Sequence, residues 1–525
     1  MTTLSRLVAV AALSLPLVAS PGTAVAAEPA GTPALTSVIP APARVTADPN
    51  TSFRLASRTV VRVSPGARAV GERLAAELRP ATGFALPVVA AAARSAPAIS
   101  LMLDSSAAPL GSEGYELTSG AGALTIKAYR AAGLFAGTRT LLQLLPTEID
   151  SPTPVRRAWT VAGGRITDQP RFAYRGAMLD LARHFHTPGE IKRYIDEISR
   201  FKVNHLHLHL SDDQGWRIQI DAWPRLTTVS GGPGTGVDGV GPGFLTKSQY
   251  SDLIAYAAER FVTIVPEIDM PGHVNAAQVA YPELTCDGVA PPPRTDTAVG
   301  YSSLCIGSET TYRFVEDVIR ELAALTPGPY LHIGGDEAHA TPEADYVAFM
   351  QRVLPLVTKY GKTAYGWNEL AKAPAASTAV AQYWNTGATN PTLAAAVTRG
   401  TKVVMSPANQ AYLDMKYDRD TPLGLSWAGY IEVRTAYDWD PATRLPGVAE
   451  PAILGVEAPL WSETLRTLDD IEFMAFPRLP ALAELGWSPV STHDWTSFAT
   501  RLGTYGPRWT LRDVNFYPSP QIRWS

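Results

Sequence analysis

The feature that most constrains the fold is a series of strand-then-helix units that begins near Arg171. Between the first two predicted strands, apolar side chains at positions 191, 194, 195 and 198 have the spacing of one helix face. Eight alternating units predict an α/β chain with a (β/α)8 barrel, whose active site lies at the C-terminal ends of the strands. The predicted strands are Ala177–Leu181, His205–Leu210, Thr263–Ile268, Tyr330–Ile333, Thr363–Gly366, Ala381–Tyr383, Lys402–Met405 and Ile453–Val456.

Polar and aromatic residues collect at the end of each predicted strand. A barrel mouth lined by carboxylates and indoles predicts a carbohydrate site, because flat aromatic surfaces pack well against sugar rings. Taken strand by strand, these residues are Asp180 and Arg183; Asp212 and Asp213; Glu267, Asp269 and His273; Asp336 and Glu337; Trp367 and Glu369; Trp384; Tyr412 and Asp414; and Glu457, Trp461 and Glu463.

The fourth of these strands ends in two glycines followed by two adjacent acids, Asp336 and Glu337. Gly334 and Gly335 lack a Cβ atom and let a ligand or another part of the chain come close. Two carboxylates at close range do not both ionise easily, so the pKa of one should be raised, as a general acid at neutral pH requires. The alternative is a glycine turn and an acidic pair that favours the start of a helix.

The organisation before the barrel is less regular. Residues 28–43 are rich in Ala, Pro and Thr and predict a linker. Residues 44–168 mix strand and helix patterns, including a hairpin of Tyr115–Leu117 and Leu124–Ala128 and a helix over Ala131–Leu145. We interpret them as a smaller α+β domain without chemistry, followed by the catalytic domain at 169–525.

Residues 1–27 have the pattern of a secretory signal peptide. Arg6 precedes an apolar run, and Ala-Val-Ala at 24–26 is a small-residue cleavage site. This segment predicts a secreted, extracellular protein, and no later stretch is apolar enough to span a membrane. The net charge of −4 and the absence of a basic run give no indication of nucleic acid or an anionic membrane as a partner.

The chain contains two cysteines, Cys286 and Cys305. In an exported chain, an even pair close in sequence favours a disulfide over a metal site or a reactive thiol. Closing so short a loop stabilises the fold by about 3 kcal/mol in the chain-entropy account. The disulfide would fix the proline-rich segment around Pro291–Pro293.

Several motifs then resemble glycoside hydrolase family 20, the β-N-acetylhexosaminidases. In the predicted barrel they are Leu-His-Leu-His-Leu-Ser-Asp-Asp-Gln-Gly-Trp at 206–216, Glu-Ile-Asp-Met-Pro-Gly-His at 267–273 and His-Ile-Gly-Gly-Asp-Glu at 332–337. Gly-Tyr-Glu-Leu at 114–117 and Gly-Thr-Arg-Thr-Leu-Leu-Gln-Leu-Leu at 137–145 are similar to the non-catalytic N-terminal domain of that family. The resemblance extends over nearly the whole chain after residue 27.

The resemblance implies substrate-assisted catalysis, in which the 2-acetamido oxygen of the substrate is the nucleophile. Glu337 would be the general acid and base, and Asp336 would orient the acetamido group and stabilise an oxazolinium intermediate. The enzyme would be exo-acting and retaining, with no cofactor and no metal. Its substrates would be terminal N-acetylglucosaminides or N-acetylgalactosaminides, including chitooligosaccharides.

The remaining roles implied by the resemblance concern substrate binding. Tyr412 would hydrogen-bond the acetamido carbonyl, and Trp367, Trp384 and Trp461 would surround its methyl group. Sugar hydroxyls would be held by Arg183, Asp414 and Glu463. Asp212 and His273 match a supporting polar pair near the acid.

Two other functions remain open at this point. His205, His207 and His209 alternate on one strand face and, with Asp212, resemble a metal-ligand set, which would suit a metal-dependent amidohydrolase or deacetylase. A sugar-binding protein that has lost catalysis is the other alternative. The intact Asp336–Glu337 pair disfavours it, since a lectin needs no acid of raised pKa.

Overall fold

The computed structural model describes residues 31–92 and 97–525. The predicted signal peptide at 1–27 and the first residues of the predicted linker lie outside the described residues. In the described part, no helix combines the length and the apolar character needed to cross a bilayer.

The N-terminal region forms a mixed seven-stranded sheet in the order β1-β7-β5-β6-β4-β2-β3. Helices α1 and α2 pack against it through faces that include Leu74, Leu78, Leu134 and Leu141, all buried. β5 and β6 pair antiparallel, as the predicted hairpin requires. The elements are β1 Arg44–Leu55, β2 Val60–Val63, α1 Arg68–Thr82, β3 Val88–Ala90, β4 Ala98–Leu103, β5 Tyr115–Ser119, β6 Ala123–Ala128, α2 Ala131–Leu144 and β7 Trp159–Asp168.

The rest of the chain is built around a closed barrel of eight parallel strands, which confirms the predicted fold class. The barrel strands are β8 Tyr174–Asp180, β9 His205–His209, β12 Thr263–Glu267, β13 Tyr330–His332, β14 Thr363–Trp367, β15 Val380–Tyr383, β16 Lys402–Met405 and β17 Ile453–Ala458. Two short strands, β10 Ser211–Asp212 and β11 Gly215–Trp216, form a ribbon just after β9.

Helices surround the barrel. In the first of them, the residues at the N-terminus explain where the helix begins. α3 begins after Thr187, whose side chain accepts from the Glu190 N–H while the Glu190 side chain accepts from Thr187, and Pro188 occupies the first turn. Its predicted apolar face is buried. The helices are α3 Pro188–Ser199, α4 Arg225–Ser230, α5 Lys247–Ala258, α6 Asn275–Ala280, α7 Glu309–Leu325, α8 Glu343–Lys359, α9 Pro391–Thr398, α10 Ala408–Ala411, α11 Val433–Tyr437, α12 Leu468–Ala475, α13 Arg478–Trp487, α14 Trp495–Gly503 and α15 Gly506–Leu511.

The segment predicted as a linker is packed into the molecule from residue 35 onward. Leu35, Val38 and Ile39 are buried, and the Ala41 N–H donates to the Glu484 carboxylate at 2.9 Å. Proline and alanine favour an open linker only when no apolar residue in the segment finds a partner, and here the apolar residues do. The prediction of a linker over residues 28–43 is therefore wrong from residue 35 onward.

A buried ion pair fixes this segment to the catalytic domain. Glu484 is fully buried in α13, and both of its oxygens accept from the Arg501 guanidinium at 2.7 Å. Arg501 also donates to the Val38 carbonyl at 3.0 Å. The pair thus joins three parts of the chain that are far apart in sequence.

Replacing Arg501 by Ala is expected to lower the free energy of unfolding by about 3–5 kcal/mol, because the buried carboxylate of Glu484 loses its cation. Urea unfolding of the purified variant measures the change. The control is Arg434→Ala, which breaks an exposed pair with Asp438 (58% and 44% exposed) and should cost less than about 1 kcal/mol. Equal losses in the two variants would contradict the role given to the buried pair.

Candidate active site

The loop that follows β13 is shaped by its two glycines. Gly334 and Gly335 have φ of 66° and 102°, and a Cβ on Gly334 would lie 1.7 Å from Asp269 Oδ1. The Gly335 N–H donates to that same oxygen at 2.9 Å. The group that comes close to Gly334 is thus the Asp269 side chain, and its hydrogen bond to the Gly335 N–H helps to fix the direction of the loop.

The pKa of the Asp336 carboxyl is raised well above its usual value. Burial is the largest cause, and the neighbouring Asp269 adds to it. The pKa of Asp269 is also raised, by burial and by Glu267, and a carboxylate oxygen of Asp269, a ring nitrogen of His273 and a carboxylate oxygen of Asp336 lie within 4.8 Å of one another. The sequence predicted the raised pKa from the contact of Asp336 with Glu337, but Glu337 is a smaller cause than burial and Asp269.

Glu337 projects from a left-handed backbone conformation with φ of 44°, which is uncommon outside glycine and is found at functional sites. Its carboxylate is 28% exposed, and its Oε2 lies 3.6 Å from His273 Nε2. His273 Nδ1 in turn lies 3.1 Å from Asp212 Oδ1. The predicted supporting pair therefore stands behind Glu337, with His273 between the two acids.

His273 is held as a cation. Burial alone would lower its pKa, but Asp212 and Asp336 outweigh burial and raise the pKa to about 10. The cation lies 3.7 Å from Asp336 Oδ2, so it stabilises negative charge on both members of the acidic pair.

A cavity of about 250 Å³ opens beside the acidic pair. Aromatic side chains form its walls. The ring centroids of Trp384 and Tyr412 lie 6.0 and 5.9 Å from that of Trp427, and those of Tyr412 and Trp461 are 6.3 Å apart. Seven of the predicted site residues line it, and these are Arg183, Asp336, Glu337, Trp384, Tyr412, Trp461 and Glu463.

The end of the cavity that Arg183 occupies is strongly charged. The Arg183 guanidinium lies 2.9 Å from Asp212 Oδ2 and stacks over Trp461 at 4.9 Å. Burial and the neighbouring charge of Glu463 raise the pKa of Asp414. The pKa of Glu463 is raised as well, chiefly by burial. Among the described residues, neither oxygen of Asp414 has a hydrogen-bond partner, nor does Oε2 of Glu463. Buried polar atoms of this kind are suited to hydroxyl groups of a ligand.

Trp367 does not line the cavity but lies directly behind it. Its indole N–H donates to Glu267 at 2.9 Å, and its ring is 5.7 Å from Trp461. Asp212 and His273 are likewise buried behind the lining residues, and Asp414, also buried, lies close to the lining residue Glu463. The structure thus brings the predicted catalytic and substrate-binding residues to one end of the barrel, in two layers.

Four lining residues are not among the predicted site residues: Thr297, Val299, Leu425 and Trp427. Thr297 and Val299 belong to the segment closed by the Cys286–Cys305 disulfide. Ser302 in the same segment donates to Asp213 at 2.6 Å, so Asp213 supports this segment and does not face the cavity. A signal was present, because a loop that follows a barrel strand lies at the catalytic face.

One side chain that was predicted to lie at the barrel mouth, Glu457, instead points into the barrel interior. Glu457 is fully buried and accepts from Tyr174 and from Gln382, and it lies 2.9 Å from His207 Nδ1. We therefore correct its placement: Glu457 belongs to the barrel core.

The alternating histidines of β9 were the basis of the metal hypothesis. His207, Glu267 and His332 do offer donor atoms close enough together to hold an ion. However, Glu267 already accepts from His209 at 2.6 Å and from Trp367 at 2.9 Å. The donor set is therefore engaged in an internal hydrogen-bond network, which does not favour the metal interpretation.

Comparison with known proteins gives a consistent result. The sequence model of the glycosyl hydrolase family 20 catalytic domain matches residues 172–490, and that of domain 2 of the same family matches residues 35–169. A β-N-acetylhexosaminidase of Cellulomonas fimi is 39% identical over 490 residues, which cover 93% of this chain and 97% of the relative.

Solved structures agree. The chain is similar to the GH20 β-N-acetylhexosaminidase of Streptomyces coelicolor A3(2), with a TM-score of 0.91 and 53% identity, covering 94% of this chain and 100% of that one. It is also similar to a mutant Streptomyces plicatus β-hexosaminidase in complex with product (GlcNAc), with a TM-score of 0.91 and 54% identity over 95% of this chain and 99% of that one.

Proposed function

The chain belongs to glycosyl hydrolase family 20 and is an enzyme of the β-N-acetylhexosaminidase kind, and from this premise we propose that it removes terminal N-acetylhexosamine residues by substrate-assisted catalysis with retention of configuration. The observation that carries the proposal is the placement of Asp336 and Glu337 together in one aromatic-walled cavity.

In the first step, Glu337 gives its proton to the glycosidic oxygen while the acetamido carbonyl oxygen attacks the anomeric carbon. The bond to the leaving group breaks, and the sugar becomes an oxazolinium ion. In the second step, the Glu337 carboxylate takes a proton from water, whose oxygen attacks the same carbon and reopens the ring. Two inversions give net retention.

Asp336 acts on the acetamido group. As a carboxylate it accepts from the acetamido N–H, directs the carbonyl oxygen toward the anomeric carbon and stabilises the positive charge that develops. Its raised pKa in the structure means that the ionised form is costly there, and a cationic intermediate beside it removes that cost. Asp336 Oδ1, which has no hydrogen-bond partner among the described residues, is available for this contact.

The aromatic and the charged lining residues determine how the substrate would be oriented in the cavity. Tyr412 would donate to the acetamido carbonyl, with Trp384 and Trp461 around the methyl group and Trp367 behind them. Arg183, Asp414 and Glu463 would bind hydroxyl groups of the same sugar, with Arg183 stacked on the wall residue Trp461. Charged groups that hold the hydroxyls of a terminal sugar support an exo-acting enzyme.

The signal pattern at 1–27 and the disulfide support an exported enzyme. The substrates that we propose are N-acetylglucosaminides and N-acetylgalactosaminides, with chitooligosaccharides as the polymer-derived class.

A pair of chromogenic substrates tests the function. The β-N-acetylglucosaminide should be cleaved rapidly, and the plain β-glucoside should react at least about 10²-fold more slowly, because it lacks the internal nucleophile. A chelator should leave both rates unchanged. Loss of activity with chelator would instead support the metal-dependent alternative, and sugar binding without cleavage would support the lectin alternative.

A further inference from the structure

A line of alternating acids and histidines runs from the catalytic loop into the barrel interior. Behind Glu337 and His273, Asp212 Oδ2 lies 2.8 Å from His209 Nε2. His209 Nδ1 lies 2.6 Å from Glu267 Oε2. All of these side chains except Glu337 are buried, with exposures of 0–2% for His273, Asp212, His209 and Glu267.

The charges along this line alternate in sign. Both ring nitrogens of His209 face carboxylates, so both must donate and the ring is an imidazolium. Burial lowers the pKa of His209, but Glu267 and Asp212 outweigh burial and hold it well above the usual value. Likewise, burial raises the pKa of Glu267, but His332, His209 and His207 outweigh it and hold it well below the usual value.

Glu267 has a second connection, to the other half of the site. Its Oε1 accepts from the Trp367 indole N–H at 2.9 Å, and Trp367 packs 5.7 Å from Trp461, a wall of the cavity. The buried Glu267 carboxylate therefore contacts Trp367, behind the aromatic wall, with one oxygen. With the other oxygen it contacts His209, the start of the path toward Glu337.

We propose that Glu267 is a positioning residue for both halves of the reaction: through Trp367 it fixes the wall of the acetamido pocket, and through His209 and Asp212 it fixes His273 against Glu337. This inference rests on the proposed function, since it assigns Glu337 the proton transfer. Glu267 touches no reacting atom, and it acts only through the side chains that it orients.

Glu267→Gln separates the two connections. The amide oxygen can still accept from Trp367, but the NH₂ group then faces His209 Nδ1, which can no longer donate. We expect kcat to fall about 10- to 100-fold, as for a misplaced catalytic group. KM should change less than about threefold.

The leaving group provides a readout that a merely structural role would not change. A sugar leaving group needs protonation by Glu337 more than 4-nitrophenolate does, because sugar alkoxides are far more basic. The loss in kcat should therefore be larger with the disaccharide of N-acetylglucosamine than with the 4-nitrophenyl glycoside.

Glu457→Gln is the matched control. Glu457 is an equally buried barrel carboxylate with its own histidine, His207. Its connection to Glu267 runs through that ring, whose Nε2 lies 2.8 Å from Glu267 Oε2. E457Q should keep kcat within about threefold, with equal effects on both leaving groups. If E267Q and E457Q lose the same activity, or if E267Q loses equally on both substrates, Glu267 has no positioning role.

Should E267Q fail to fold, W367F and H209Q test the two connections separately. H209Q should reproduce the dependence of kcat on the leaving group. W367F should raise KM, with no dependence of kcat on the leaving group; the same profile in both variants would overturn the inference.

The parent enzyme is the internal standard. A parent that fails to cleave either substrate contradicts the proposed function, whereas an active parent with no difference between E267Q and E457Q contradicts this inference alone.

Discussion

Glu337→Gln should lower kcat about 10²- to 10⁴-fold on the disaccharide of N-acetylglucosamine, the range that general acid–base catalysis contributes. The amide has the shape of the carboxylic acid but has no proton to give the glycosidic oxygen and cannot take one from water. Since the side chain is 28% exposed and its partner His273 Nε2 is 3.6 Å away, the substitution breaks no close contact and the fold should be retained.

Steady-state rates and ligand binding measure this effect together. A competitive inhibitor that mimics the product should bind the variant within about tenfold of the parent, because the cavity walls are unchanged. Glu343→Gln, an exposed acid at the start of α8, is the control and should leave the rate unaffected. A near-normal rate in the Glu337 variant would remove Glu337 from the mechanism.

Asp336→Asn should slow N-acetylated substrates about 10²- to 10³-fold, the loss typical of removing one group that stabilises transition-state charge. An amide can still hydrogen-bond the acetamido group, but it offers no negative charge to the oxazolinium ion. Since every N-acetylated substrate passes through that ion, kcat should fall for good and poor leaving groups alike. That pattern distinguishes Asp336 from Glu337.

The same substitution should have the opposite effect on stability. Because the pKa of Asp336 is raised in the folded protein, the ionised carboxylate destabilises the fold once the pH exceeds the usual aspartate value of about 3.9. Asparagine never ionises, so the variant should melt at a higher temperature than the parent at pH 7. Near pH 3 the difference should disappear.

Thermal melts at the two pH values check this sign, and Asp345→Asn, at an exposed position in α8, controls for the loss of a charge in general. A variant that is both less active and less stable at pH 7 would indicate structural damage. Unchanged kcat would show that Asp336 takes no part in the reaction.

The barrel could be predicted because its strands carry two independent signals. Most of the strands are short, largely apolar runs that are buried on both faces, and polar residues collect at or just after their C-terminal ends. The ends of the elements were less certain: β8 begins at Tyr174 and not at Ala177, because Tyr174 is buried in the barrel floor beside His205. Polar residues at a strand end do not show where pairing starts.

Residues at the cavity could be predicted where a strand end places them, as for Asp336, Glu337 and Trp384. The sequence could not show whether a side chain lines the cavity or stands behind it, because that depends on the direction of each turn and on neighbours distant in sequence. Trp367 ends its strand and Trp384 directly follows the next one, but the Trp367 indole N–H turns inward to Glu267. The path from Glu267 to Glu337 involves three separate loops, and periodicity has no bearing on it.

The packing of residues 35–41 bears on how such proteins can evolve. Val38 and Ala41 contact Arg501 and Glu484, while Arg508 in α15 donates to the backbone carbonyls of Leu142, Gln143 and Leu145. Trp487 of α13 is buried in the core of the N-terminal sheet. Recombination that exchanged one domain for that of a distant relative would have to bring matching partners for every one of these contacts, so the two domains are expected to be inherited together and not as interchangeable modules.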